Sequence, residues 1–183
     1  KVEEKEIIEQ MDVTQGKIVI GMDLTLEDIK QKYDAIVYNA ILGGTANSKM
    51  FQEVREKASL AYSAGSTYLR YKGNIFIKCG IEIKNYKKAL EIIRKQLKDM
   101  QNGIFTDEDI ENAKKSIISG IRSIDDEQDT EITYFFGQEL TNEKISTEEY
   151  IKNIEKVAKE DIIKIANSLQ INTIYFLKNK EED

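Results

Sequence analysis

Apolar and polar residues alternate from Lys17 to Leu24. Ile18, Ile20, Met22 and Leu24 share one face, while Val19 and Gly21 share the other with polar residues. A period of two over this length predicts a half-buried strand. Thr25 is placed to cap a helix in which Leu26, Ile29, Tyr33, Ile36, Val37, Ala40 and Ile41 recur at helical spacing, and Gly43-Gly44 ends it. Asn47 or Ser48 opens a short helix carrying Met50, Phe51 and Val54, which fades near Ala58. Leu60 to Tyr71 has the aromatic and β-favouring content of a strand. After the turn Lys72-Gly73-Asn74, the odd positions Ile75, Ile77, Cys79, Ile81 and Ile83 oppose Phe76, Lys78, Gly80 and Glu82, so the two strands read as a hairpin.

The period then changes. Tyr86, Leu90, Ile93, Leu97 and Met100 mark a helix that Gly103 stops. Thr106-x-x-Asp109 resembles a capping box before Ile110, Ala113, Ile117 and Ile121, so a second long helix follows. Asp125 to Asp129 is an acidic break, and Thr130 to Leu140 is expected to be helical. Ser146-x-x-Glu149 is a capping box ahead of Tyr150, Ile154 and Val157. Asp161 to Leu169 is a further short helix, and the β-branched run Ile171 to Leu177 is a closing strand. The resulting order is β-α-α-β-β-α-α-α-α-β. A central hairpin requires antiparallel pairing. The fold class expected is therefore α+β, a two-layer sandwich with a mostly antiparallel sheet and helices packed on one face. The organisation read from the chain is a leading segment at 1–15, one α+β domain at 16–178 and a charged tail at 179–183.

Composition narrows the chemistry. The 183 residues contain no His and one Cys. Such a chain cannot supply the imidazoles of a His-based zinc motif, a Ser-His-Asp or Cys-His site, or a thiolate zinc cage. The lone Cys79 rules out an internal disulfide and points to a reducing, cytoplasmic setting. No apolar run reaches the roughly 18–20 residues of a membrane helix. No signal peptide is visible in the charged stretch Lys1 to Gln10. Acidic residues exceed basic ones, 33 to 27, which disfavours nucleic acid as a partner. The chain does not begin with Met, and it reads as a piece of a longer protein or a processed chain. The absence of Pro and the many Lys, Ile and Asn fit an AT-rich bacterial genome.

Candidate chemistry concentrates between Leu42 and Ser63. Arg55 falls near the end of the short helix and Tyr62 early in the next strand, seven residues on and across a turn, so both heads can converge at one sheet edge. A guanidinium presents a planar fork of donors and a phenol one more, a pair suited to a peptide carbonyl or to the oxyanion that develops from it. The plainer alternative is a surface ion pair of Arg55 with Glu53, Glu56 or Glu82 and a half-buried Tyr62, and spacing alone favours it. Gly43-Gly44 reads as helix termination rather than a phosphate cradle, since neither a GxGxxG nor a Walker motif is present. Asp125, Asp126, Glu127 and Asp129 lack the calcium-loop pattern and read as a solvated acidic loop. Cys79 sits between Ile77 and Ile81 on an apolar face and reads as core, and Tyr134-Phe135-Phe136 reads as core or subunit interface.

Leu42-Gly43-Gly44, Ser48-Lys49-Met50-Phe51, Val54-Arg55-Glu56-Lys57 and Leu60-Ala61-Tyr62-Ser63 together resemble the insulinase/pitrilysin-type zinc metallopeptidases, in the half that does not carry the metal. The resemblance extends over Gly16 to Lys178, and the lead-in Asp12 to Lys17 looks like that of bacterial members. It implies one copy of a duplicated α+β domain of the mitochondrial-processing-peptidase-like type. It further implies an inverted His-x-x-Glu-His zinc motif in a homologous domain or subunit, and Arg55 and Tyr62 as substrate-binding groups reaching towards a bound peptide. This chain would hold no metal or cofactor and would be inactive alone, with zinc in the partner half. Ala58-Ser59 stands where the family has a variable pair often ending in Gly. A rival expectation is a non-catalytic homologue that scaffolds a partner subunit.

Overall fold

The computed structural model describes residues 3–28, 30–123 and 145–180. Its five strands are β1 (Lys5–Met11), β2 (Gly16–Leu24), β3 (Ala61–Leu69), β4 (Asn74–Ile81) and β5 (Leu169–Asn179). They form one sheet in the order β1-β5-β2-β4-β3, antiparallel except for the parallel pair β1 and β5. The helices are α1 (Gln31–Asn39), α2 (Tyr86–Gln101), α3 (Asp107–Arg122), α4 (Thr147–Lys156) and α5 (Lys159–Ser168). Two wider helical stretches, Ala40–Gly44 and Met50–Lys57, lie between α1 and β3.

The alternation read from the sequence is the alternation of burial. Ile18, Ile20 and Met22 of β2, Ile75, Ile77, Cys79 and Ile81 of β4, and Ile174 and Phe176 of β5 are buried in register across the sheet. They meet Tyr33 and Val37 of α1, Ala89, Ile93 and Met100 of α2, and Ile162 and Ile165 of α5 in one core. Removing this much hydrocarbon from water is the main force holding the layers together. On the opposite face, Lys17 and Lys78 are exposed and Val19, Phe76 and Tyr175 only partly covered. The two-layer α+β architecture is as expected.

Local chemistry explains the boundaries. Thr106 Oγ1 accepts from the Asp109 amide at 3.0 Å, and Asp109 Oδ2 accepts from the Thr106 amide at 2.8 Å, a complete capping box. Ser146 Oγ accepts from the Glu149 amide at 3.1 Å. Gly103 ends α2 with φ +70, a left-handed value that a side chain would strain. Cys79 is buried, and burial pushes its thiol up to about 12, as suits a core residue and not a nucleophile.

Three features depart from expectation. First, β1 is a strand inside the leading segment 1–15, where the pattern predicted none. All seven of its residues are exposed, so it carries no burial period to read. Second, Thr25 does not cap α1. The amides of Glu27 and Asp28 donate instead to Gln31 Oε1 at 2.7 and 3.3 Å, and the helix starts only at Gln31. Third, the helical stretch does end at Gly43-Gly44 as expected, but neither glycine adopts a positive φ. A Cβ on Gly43 would stand 2.4 Å from the backbone nitrogen of Ser66, so this glycine lets the helical turn press directly on β3. The expected helix Thr130 to Leu140, the acidic run 125–129 and the aromatics 134–136 lie outside the described residues.

Candidate functional site

The segment leading to β3 builds a small cavity in three steps. The helix Met50–Lys57 buries Met50 and Val54 and leaves Arg55 on its outer side. The helix closes through hydrogen bonds from the amides of Ala58, Ser59 and Leu60 to the carbonyls of Glu53, Arg55 and Val54, at 3.3, 3.1 and 3.1 Å. To make that closure Ser59 takes φ 52, a left-handed conformation that costs a non-glycine residue about 1–2 kcal/mol. The Ala58-Ser59 departure from the family pattern thus falls on a residue whose backbone suits glycine. Next comes a bulge: the β3–β4 register shifts between Ala61 and Ser63, so Tyr62 is the extra residue. Bulges turn a side chain out of the regular pleat, and Tyr62 is 54% exposed.

Arg55, Glu56, Ser59, Tyr62, Glu82 and Asn85 line one open cavity of about 420 Å³. Both residues nominated from the sequence therefore face the same space. Arg55 lies over the Phe51 ring, 4.7 Å from its centroid, a cation–π contact one helical turn away. Its ion pair is with Glu56 at 3.7 Å, both side chains being about half exposed, which makes it a weak tie. The other two acids considered for Arg55 have closer partners: Glu53 holds Lys57 at 2.6 Å and Glu82 holds Lys84 at 2.7 Å. The Lys84 ammonium, hydrogen-bonded to Glu82, keeps its carboxyl below the usual carboxylate range, and the Tyr62 hydroxyl acts in the same direction. The cavity is thus lined by a guanidinium, a phenol and two carboxyl groups.

Asn85 was not singled out from the sequence, Glu82 was weighed only as an ion-pair partner of Arg55, and Phe51 only as part of the short helix and of the motif. Phe51 had a readable signal, its i, i+4 spacing to Arg55. Glu82 and Asn85 come from beyond the hairpin, and only the β3–β4 register brings them to Tyr62. The donor set does not fit a zinc site. The chain has no His, Cys79 is a buried thiol, and no group of three or more Cys, Asp or Glu gathers among the described residues. No helix among those residues is long and apolar enough to cross a membrane.

Residues 1–117 match the model of a protein family described as the peptidase M16 inactive domain. The chain is 40% identical over 182 residues to a Bacillus subtilis protein named probable inactive metalloprotease YmfF, covering 99% of this chain and 43% of that protein. It is 25% identical over 175 residues to an uncharacterized zinc protease of Streptomyces coelicolor, covering 91% of this chain and 38% of that one. Among solved structures, a conserved protein from Enterococcus faecalis superposes with TM-score 0.86 at 27% identity, over all of this chain and 43% of the other. A peptidase M16 inactive domain from Pseudomonas fluorescens gives 0.78 at 15% identity, over 98% of this chain and 44% of that one, and shares the fold. The chain spans less than half the length of the curated relatives it matches.

Proposed function

The chain belongs to the peptidase M16 family, in its inactive-domain type, and from that premise we propose that it is the substrate-gripping, non-metal part of a zinc-dependent endopeptidase. The metal and the general-base glutamate would come from a homologous domain or subunit, with the zinc supplying Lewis-acid chemistry there. The observation that carries this reading is the shared cavity of Arg55 and Tyr62.

The proposed work of the two residues follows from their chemistry. Arg55 directs its fork of donors at a peptide carbonyl, and its charge gains as negative charge grows on that oxygen. Tyr62 adds a hydroxyl donor on the same side. Phe51 beneath the guanidinium and Glu56 beside it limit the conformations Arg55 must give up on binding. The lone buried Cys79 suits a reducing, cytoplasmic compartment.

The test is to purify the full-length protein with and without its zinc-bearing counterpart and measure peptide cleavage. Cleavage is expected only from the combination, and no stoichiometric zinc should stay with this chain. Cleavage undiminished when Arg55 and Tyr62 are both removed rejects the proposed grip. One observation favours a second reading, a scaffold without peptidase activity: the 40% identical relative bears the name of an inactive metalloprotease. That reading expects no cleavage from the combined proteins and a stable complex all the same.

A further inference from the structure

The wall of the Arg55–Tyr62 cavity does not end at Glu82. The same residue lines a larger cleft of about 850 Å³ between β1, the Ile83–Asn85 turn and the start of α2. Its floor is apolar. Ile8 is 56% exposed there, beside Ile83, and Tyr86 stacks on Phe176 with ring centroids 3.9 Å apart and 13° between planes. Its rim is charged. Lys84, Lys87 and Lys178 stand against Glu6 and Glu82, three ammonium groups to two carboxylates. Both carboxylates are engaged: Glu82 is held by Lys84, and Glu6 accepts from the Tyr86 hydroxyl. α2 brings no acidic residue in its first turn beside the exposed Lys87.

We propose that this cleft is a second peptide subsite, continuous with the Arg55–Tyr62 cavity, and that it takes a segment in which an apolar side chain is followed by a carboxylate. The apolar side chain covers Ile8 and the Tyr86–Phe176 stack, and the exposed Lys87 reads the negative charge. This rests on the reading of the first cavity as a peptide grip and adds to it a substrate class. Rim charges of this kind govern which partner is chosen more than how tightly any partner is held.

The experiment is fluorescence anisotropy on the full-length protein with labelled peptides identical except for Glu or Lys two residues beyond a Leu. The Glu peptide should bind about fivefold or more tightly than the Lys peptide. Lys87→Glu should reverse the order, whereas Arg55→Ala should weaken both equally and leave the ratio alone. Ile8→Ser should weaken the Leu peptides and not the matching peptides with Gly in place of Leu. An unchanged ratio in Lys87→Glu overturns the subsite while leaving the grip standing. An Arg55→Ala variant that binds both peptides normally overturns the grip, and the subsite then stands or falls on Lys87 alone. Sedimentation showing that a second copy fills the cleft, with a dimer that Ile8→Ser dissolves and no peptide preference, also overturns it.

Discussion

At one margin of the sheet, β1 leaves all seven residues exposed and is tied to the helical layer and to β5 by side chains far apart in sequence. Glu4 meets Arg94, Glu6 meets the Tyr86 hydroxyl and Glu9 meets the Tyr175 hydroxyl. At the other margin, β3 is fixed by contact: Gly43 presses on its backbone, and Ser66 Oγ donates to Asn39 Oδ1 at 2.8 Å. The first margin depends on charge and protonation, the second on shape. The residues proposed to hold peptide backbone sit at the shape-determined margin, where a bulge and a left-handed turn set their direction. A binding group is only as well aimed as the backbone beneath it.

The largest expected effect comes from breaking that contact. Gly43→Ala puts a methyl group against the β3 backbone, which should cost about 3 kcal/mol as overpacking. The thermal midpoint should drop by roughly 6–12 °C, and a calorimetric scan within a degree of the parent would show that β3 is not held this way. Next, if the proposed peptidase assembly cleaves peptides, Arg55→Ala in it should lower kcat/KM about tenfold or more, about 1.4 kcal/mol, with little change in melting. Near-parental turnover would remove Arg55 from the site.

At the β1 margin, Tyr86→Phe keeps the stack on Phe176 but deletes the donor to Glu6, for a loss of about 1 kcal/mol in urea unfolding. The pH dependence of this margin has a definite sign. Tyr86 and Tyr175 are both raised above the ordinary phenol value, Tyr86 first by burial and then by Glu6, Tyr175 first by its hydrogen bond to Glu9. A raised folded value means that the stabilisation is present below about pH 10 and lost as pH climbs through the folded value. The stability gap between the parent and a Tyr86→Phe/Tyr175→Phe variant should therefore narrow above about pH 10. A constant gap would mean that these hydroxyls do not tie β1 down. The smallest effect belongs to Ser59→Gly, which relieves the left-handed strain and should add about 0.5 kcal/mol. A loss instead would show that the Ser59 side chain contributes more than its backbone costs.

The same contrast explains what the sequence disclosed. β2 and β4 were legible because each buries alternate residues against one core, so their pattern and their packing are one fact, and β5 because of its apolar, β-branched run. The capping residues Thr106 and Ser146 were legible because their partners lie three residues away. β1 was not, because nothing local marks Lys5–Met11 as extended. Its ties reach to Tyr86, Arg94 and Tyr175. The close approach behind Gly43 was equally hidden, since helix-ending glycines and pressed glycines look alike until the facing strand is known. At the candidate site, Arg55 and Tyr62 could be nominated from the Leu42–Ser63 run, but the place of Glu82 beside Tyr62 could not, because only strand register delivers it.

The pairing of β5 with both β1 and β2 has a consequence for biosynthesis. Residues 5–11 pair only with 169–179, and one flank of 16–24 waits for the same strand while its other flank pairs with 74–81. A nascent chain therefore carries one exposed flank of β2 until residues 169–179 have been made, with that loop closure deferred until then. Contacts of such long separation slow folding and leave unpaired edges open to wrong partners. A ribosome stalled before the codon for Leu169 should leave a chain that recruits chaperones, and one stalled after Asn179 has emerged should leave a chain that recruits fewer.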